Sequence, residues 1–155
     1  MRAVIQRVTS ASVTVNSEIV GKIGRGLALL VGISVTDEQK DVDWLVKKIV
    51  GLRLFDDEAG KAWSKSVKDL DLEILSVSQF TLYALTNKGS KPDFHLAAKS
   101  DVSKDMYMSF LGQLKQAHKP HRVQDGVFGA MMSVEIVNDG PVTIVLDSTQ
   151  TRKDN

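Results

Sequence analysis

Apolar and polar residues alternate along much of the chain, which is the pattern of β-strands with one buried face. Strand-like stretches cover residues 3–9 and 11–15. Residues 27–34 are nearly all apolar and form a short run, so they predict a fully buried strand. Further strands are predicted at 52–55, 72–80, 131–137 and 142–147, and turns at 21–26 and 56–60.

A helix is predicted after the buried strand. Its apolar residues follow an i, i+3, i+4, i+7, i+8 stripe: Val42, Leu45, Val46, Ile49 and Val50. Thr36, with Gln39 three residues later, has the signature of a capping box at the start of this helix. Gly51 ends it.

A second helix is predicted to begin with Ser100 or Ser103 as its N-cap and to end before Pro120. Its apolar face comprises Met106, Phe110 and Leu114. Strands predominate and two helices interrupt them, so the predicted class is α/β with a mixed sheet. We expect a single domain over residues 1–147 and a frayed polar tail over 148–155.

Composition narrows the class of protein. Of the 155 residues, 43% are hydrophobic and 25% are charged, and none is cysteine. The lack of cysteine excludes disulfides, thiolate metal sites and a cysteine nucleophile. No signal peptide pattern is present, and the longest apolar stretch, 26–33, is too short to cross a bilayer. These features predict a cytoplasmic protein with no membrane association.

Charge is spread unevenly along the chain. The net charge is +1, but residues 86–122 contain seven Lys and Arg against three Asp, a local net charge of +4. A basic segment is suited to contact with nucleic-acid phosphates. The alternative, and the simpler interpretation, is a charged surface that faces solvent.

The histidines do not suggest a metal centre or a triad. His118 and His121 are three residues apart but flank Pro120, so we expect them to be solvent-exposed rather than paired ligands. His95 lies near Asp93 in a loop, and nothing in the sequence joins it to a serine. We therefore predict no metal and no cofactor.

Hydroxyl and amide groups cluster in residues 78–81, at the end of a predicted strand. Ser78 and Phe80 would face one side, and Gln79 and Thr81 the other. Thr81 is either a nucleophile or simply a β-branched strand residue. Phe80 is equally compatible with a core position.

Two longer motifs, together with several shorter ones, give the chain a family resemblance. Residues 76–83 read Ser-Val-Ser-Gln-Phe-Thr-Leu-Tyr, and residues 138–143 read Asn-Asp-Gly-Pro-Val-Thr. With the segments at 1–8, 63–67, 91–97 and 126–129, in this order and spacing, the chain resembles the D-aminoacyl-tRNA deacylases. The resemblance implies β/β/α layers, with two sheets and the helices outside, and a homodimer. It also implies hydrolysis of the ester that joins a D-amino acid to tRNA, which releases the amino acid and free tRNA.

The resemblance also implies roles for particular residues. Main-chain groups of Phe80 and Thr81 would stabilise the oxyanion, assisted by the 2′-hydroxyl of the terminal ribose. Ser78, Gln79 and Met131 would contact the substrate, although Met131 is nearly as compatible with core packing. Gln79 and Phe80 would contact the terminal adenine by hydrogen bonding and by stacking.

Gly140 and Pro141 carry the implied selection of chirality. From the residues alone they form a plain hairpin turn. The resemblance implies a cis peptide bond inserted into the partner subunit's pocket, where backbone oxygens hold the α-amino group and exclude L side chains. Arg7 would fix this loop through its guanidinium group.

Lys88 and Lys91, in the basic segment, are candidate contacts to the tRNA. Two alternative functions stay open at this point. One is a nucleic-acid-binding module without hydrolysis, which would use the basic segment. The other is a hydrolase of small esters with Thr81 as its nucleophile.

Overall fold

The structure is a computed structural model, and it describes residues 1–150. Six strands and two helices form the fold, with 3₁₀ turns at Phe80–Tyr83 and Pro120–Arg122. The strands are β1 (Arg2–Val15), β2 (Glu18–Ile23), β3 (Gly26–Gly32), β4 (Glu73–Ser78), β5 (Val123–Asp125) and β6 (Ser133–Asp147). The helices are α1 (Gln39–Gly51) and α2 (Ser100–Ala117). No helix among these residues is long and apolar enough to cross a membrane.

The six strands form one mixed sheet, which confirms the predicted class. One edge of β1 pairs antiparallel with β3 and then with β2, and its other edge pairs with β6. β4 is parallel to both β3 and β5. The sheet curls until β2 approaches β5, where a Cβ on Gly21 would lie 2.6 Å from the carbonyl oxygen of Asp125. The two expected sheets are thus two parts of one nearly barrel-shaped sheet.

Two apolar cores cover the two faces of this sheet. Along β3, Leu27, Leu29 and Val31 belong to the core beneath the helices, together with the predicted stripe of α1. Ala28 points to the other face, where residues such as Leu75 form a second core inside the curled sheet. The near-continuous burial of β3 therefore has the predicted cause, since both of its faces are covered.

Several predicted boundaries were wrong. β1 is one strand rather than two, and Gly21 lies in β2 rather than in a turn. Residues 52–55 form no strand but one isolated bridge, between Phe55 and Lys65. The three-residue strand β5 was missed, because three residues show no periodicity. The strand predicted at 72–80 ends at Ser78, where the chain enters the 3₁₀ turn.

The helix caps also differ from the prediction. Glu38 and Asp41 form the capping box of α1. Thr36 instead donates its backbone N–H to the Ser34 hydroxyl in the preceding turn. Lys99 caps α2 without a side-chain hydrogen bond.

The predicted polar tail begins too early. Ser148 is buried, and its backbone N–H donates to the carbonyl oxygen of Met1 at 2.9 Å. The first residue after β6 is therefore part of the folded domain. Residues 151–155 of the predicted tail lie outside the described residues.

Candidate active site

Residues 78–83 lie at the carboxyl end of β4, where the chain leaves the sheet. Gln79 donates its backbone N–H to the carbonyl oxygen of Val31 at 2.8 Å, and the chain then turns into the 3₁₀ segment. A Cβ on Gly32 would lie 3.0 Å from both the carbonyl oxygen of Gln79 and the Cβ of Leu82. Glycine at position 32 thus lets this turn pack closely against β3.

A cleft of about 540 Å³ opens beside this turn. Residues from β4, from the start of α2 and from the segment before β6 line it. Four of the predicted site residues are among them: Ser78, Gln79, Phe80 and Met131. Thr81, the adjacent residue in the turn, is not among the lining residues.

Phe80 is not a core residue, because 56% of it is exposed. Its ring packs edge-to-face against Phe94, with 5.1 Å between the ring centroids. The loop between the 3₁₀ turn and α2 thus supports Phe80 from one side. An aromatic ring held at the rim of a cleft is suited to stacking on a nucleic-acid base.

Thr81 has no general base as a partner within residues 1–150. Its hydroxyl oxygen accepts a hydrogen bond from Nε2 of Gln79, which lies two residues earlier. Neither a histidine nor a carboxylate hydrogen-bonds to this exposed hydroxyl among the described residues, and a threonine nucleophile needs such a base.

A buried hydroxyl pair lies behind residues that line the cleft. The hydroxyl groups of Ser76 and Tyr107 lie 3.0 Å apart and join β4 to α2. Burial raises the pKa of the Tyr107 phenol, so this group stays neutral. The Tyr107 ring also packs against Phe128, which lines the cleft, with 5.9 Å between centroids.

Two neighbouring methionines have different environments at the cleft. Met131 is 93% exposed and lies at the rim. The Met132 sulfur accepts the backbone N–H of Val127 at 3.4 Å. A Cβ on Gly126 would lie 2.6 Å from this sulfur, so glycine makes room for it. Met132 therefore anchors the segment that places Met131 beside the cleft.

Gly140 and Pro141 lie in a bulge of β6. Val8 pairs with Asn138 and Gln6 with Thr143, so four residues of β6 stand opposite Arg7 alone. Both Gly140 and Pro141 are exposed. The peptide bond between them is cis, as the resemblance implies, and Gly140 has a φ of +124°.

Arg7 lies under this bulge and holds it. Its Nε lies 3.3 Å from both the carbonyl oxygen and Oδ2 of Asp139, and its Nη1 donates to the carbonyl oxygen of Leu54 at 2.8 Å. The guanidinium group thus connects the bulge to the segment after α1.

The bulge and the cleft lie at opposite ends of β3. Arg7 pairs with Leu27, whereas Ser78 pairs with Val31. Those two β3 positions are four residues apart, which corresponds to about 13 Å along a strand. The bulge also lies across β1 and β3 from β4. Gly140 and Pro141 therefore do not reach the cleft of their own chain.

The histidines lie outside the cleft lining. His118 is buried rather than exposed, and its Nε2 donates to the carbonyl oxygen of Leu72 at 2.6 Å. The sequence did not reveal this burial, because it depends on how the end of α2 packs against the segment that precedes β4. His95 contacts Asp93, and its backbone N–H lowers the pKa of that carboxyl group. Among residues 1–150, no three His, Cys, Asp or Glu side chains lie close enough together to hold a metal ion.

Lys88 and Lys91 lie at the exposed tip of the loop that follows the 3₁₀ turn. Leu85 and Asp93 pair at the base of this tip, and Gly89 adopts a φ of +66° at its turn. Phe94, which follows Asp93, contacts Phe80. The two lysines are therefore on a loop that packs against the rim of the cleft.

Comparisons with known proteins agree with this fold. Residues 4–147 match the family model described as D-Tyr-tRNA(Tyr) deacylase. The chain is 57% identical to D-aminoacyl-tRNA deacylase 1 of Danio rerio over 148 residues, 96% of this chain and 71% of that protein. It is 51% identical to D-aminoacyl-tRNA deacylase of Saccharomyces cerevisiae over 150 residues, 97% of this chain and all of that protein.

Two solved structures resemble the protein over nearly its whole length. One is named c-Myc DNA Unwinding Element Binding Protein, with a TM-score of 0.92 and 55% identity, covering 95% of this chain and 98% of that one. The other, titled as a probable eukaryotic D-amino acid tRNA deacylase, has a TM-score of 0.80 and 18% identity. It covers 94% of this chain and 97% of that chain, and at this identity it supports the fold.

The family model and the curated relatives define an α/β hydrolase of the deacylase class. The chain belongs to the D-aminoacyl-tRNA deacylase family, so the resemblance found in the sequence is confirmed.

Proposed function

We propose that this protein hydrolyses the ester bond of D-aminoacyl-tRNA and releases the D-amino acid and free tRNA. The observation that carries the proposal is the family match over residues 4–147, which includes both the turn beside the cleft and the Gly140–Pro141 bulge. A cytoplasmic location follows from the substrate, since aminoacyl-tRNA is used in translation.

Backbone N–H groups of the 3₁₀ turn supply the oxyanion stabilisation. Phe80 and Thr81 are the first two residues of the turn, and the opening N–H groups of such a turn have no acceptor within it. Donors fixed near a developing negative charge lower the barrier by about 3–4 kcal/mol each. Water attacks the ester carbonyl carbon, the bond to the ribose oxygen breaks, and that oxygen takes up a proton, with assistance from the neighbouring 2′-hydroxyl.

Substrate contacts complete this account of the cleft. Ser78, Gln79 and Met131 contact the aminoacyl end, and the exposed ring of Phe80 stacks on the terminal adenine. Lys88 and Lys91 contact phosphates of the tRNA acceptor arm. These roles use the side chains that the fold places around the cleft and on its adjacent loop.

Selection of chirality requires a second copy of the chain. The Gly140–Pro141 bulge is distant from its own cleft but is exposed and held by Arg7. In a homodimer the bulge enters the partner's cleft, and its backbone oxygens hold the substrate's α-amino group. An L side chain would then collide with the dipeptide, whereas a D side chain points away.

A nucleic-acid-binding module without hydrolysis is the second candidate function. The relative named as a DNA unwinding element binding protein favours it, because that protein is 55% identical and shares the fold. The same basic loop would serve this function. Binding of tRNA without release of an amino acid distinguishes it from the deacylase.

Hydrolysis of D-Tyr-tRNA and L-Tyr-tRNA by the purified protein tests the proposal. We expect release of D-tyrosine at enzyme concentrations far below those of the substrate, with L-Tyr-tRNA left intact. Equal hydrolysis of the two esters would contradict the chirality mechanism. Binding of both without turnover would favour the nucleic-acid-binding module.

A further inference from the structure

The Gly140–Pro141 bulge lacks the regular ladder of backbone hydrogen bonds. The four residues 139–142 stand opposite Arg7, so most of their backbone groups have no register partner on β1. Asn138 and Thr143 form the two ends of the bulge. An exposed segment of this kind keeps one shape only when other contacts replace the missing ladder.

The carboxamide of Asn138 supplies such contacts. Its Oδ1 accepts the backbone N–H of Val142 at 3.0 Å, and its Nδ2 donates to Oγ1 of Thr143 at 2.9 Å. Nε2 of Gln6 donates to the same hydroxyl at 3.4 Å. Both polar atoms of Asn138 are therefore used, and one side chain joins the two ends of the bulge.

Arg7 and Asn138 fix the two backbone positions that flank the Gly140–Pro141 dipeptide along the chain. Arg7 donates to the carbonyl oxygen of Asp139, directly before Gly140. Asn138 accepts from the N–H of Val142, directly after Pro141. The dipeptide lies between these two fixed positions, so the direction of its backbone oxygens depends on both.

We propose that Asn138 is a positioning residue that sets the direction in which Gly140 and Pro141 present their backbone oxygens to the substrate. This inference rests on the proposed function, in which those oxygens hold the α-amino group. Asn138 acts through the bulge and does not itself touch the substrate. A displacement of about 1 Å in such a contact can reduce a rate by about 100-fold.

Replacing Asn138 by alanine and by aspartate tests this role. Asn138→Ala removes both bonds, and we expect kcat/KM for D-Tyr-tRNA to fall by about 10- to 100-fold. The ratio of D to L hydrolysis falls with it, while affinity for deacylated tRNA is unchanged. Asn138→Asp keeps an acceptor for Val142, and the Thr143 hydroxyl can donate to the carboxylate, so we expect activity and selectivity near the wild-type values. Gln124→Ala is the matched control, because it removes an exposed carboxamide on β5 that lies outside the cleft lining and the bulge.

Two outcomes would overturn the role of Asn138. One is an Asn138→Ala variant that keeps the wild-type ratio of D to L hydrolysis, even with a lower melting temperature, since that would show a purely structural effect. The other is an Asn138→Asp variant as defective as Asn138→Ala.

Failure of the proposed function gives a different result, because the wild-type protein would then not release D-tyrosine. Amide hydrogen exchange at Asp139, Gly140 and Val142 still decides the part of Asn138 in that case. Faster exchange of the Val142 amide in Asn138→Ala supports it, and wild-type exchange overturns it.

Discussion

Replacing Gly140 by alanine adds a single methyl group to the bulge and tests whether its conformation is needed for activity. A Cβ there would lie 2.9 Å from Cγ2 of Val142, 3.0 Å from the Val142 backbone nitrogen and 3.2 Å from Nη2 of Arg7. The φ of +124° is also one that L side chains rarely adopt. A Gly140→Ala protein must therefore move Val142, Arg7 or both.

The expected magnitude follows from these distances. Holding a residue with a Cβ in such a sparsely populated conformation costs about 1–3 kcal/mol, so the free energy of unfolding should fall by about that amount. The loss of activity should be larger than this loss of stability implies, because in the proposed mechanism a shifted dipeptide misplaces the substrate's amino group. We expect kcat/KM for D-Tyr-tRNA to fall by at least about 100-fold.

Denaturant unfolding and D-Tyr-tRNA hydrolysis, both measured on the same preparations, provide the assay. Gly24→Ala is the matched control, because a Cβ on the exposed Gly24 meets no atom within 4 Å. Its free energy of unfolding should stay within about 0.5 kcal/mol of wild type. If Gly140→Ala matched Gly24→Ala in both measurements, the reasoning about the bulge would be refuted.

Four further predictions concern the chemistry and the surface. Thr81→Ala should keep activity within about tenfold of wild type, whereas removal of a true nucleophile costs roughly 10⁴-fold or more in single-turnover hydrolysis. Chelators should leave hydrolysis unchanged, and restoration of a chelator-abolished activity by zinc would contradict this. Charge reversal at Lys88 and Lys91 should weaken tRNA binding and reduce the salt slope by roughly 0.7–0.9 for each lost phosphate contact; an unchanged slope would remove the loop from the interface. Hydrogen bonds from Lys119 and then Arg122 lower the pKa of Asp71 from 3.8 to about 2. This carboxylate therefore stabilises the fold above pH 3.8 and loses that effect as the pH falls toward 2. The free energy of unfolding of Asp71→Asn should depend less on pH in this range than that of the wild type.

The sequence predicted the features that depend on local pattern. The stripe in α1 faces the core, and the apolar run of β3 is buried on both faces, because periodicity and burial are linked directly. Phe80, the first residue of the turn at Phe80–Tyr83, was predicted as the end of a strand because aromatic and β-branched residues favour strands. The exposure of Phe80 depends on this turn, so the sequence left its role open.

Features that depend on register were not predictable from one sequence. The pattern from Asn138 to Pro141 predicted a hairpin turn between two strands. In the structure β6 is one strand with a bulge here, and it pairs with β1 both before and after the bulge. The opposite placement of bulge and cleft follows from the pairing of β1, β3 and β4, which local pattern does not define. The contact of Arg7 with Leu54 joins residues 47 positions apart, and no sequence signal indicated it.

In the proposed homodimer, each active site combines the cleft of one subunit with the bulge of the other. Complementation between two inactive variants tests it directly. Gly140→Ala impairs the bulge, and Ser103→Trp places a large ring in the cleft, which Ser103 lines. When equal amounts are mixed, dissociated and reassociated, half of the dimers are mixed, and each mixed dimer has one intact composite site. The account predicts recovery of about one quarter of wild-type D-Tyr-tRNA hydrolysis. No recovery, with mixed dimers shown to form, would contradict it.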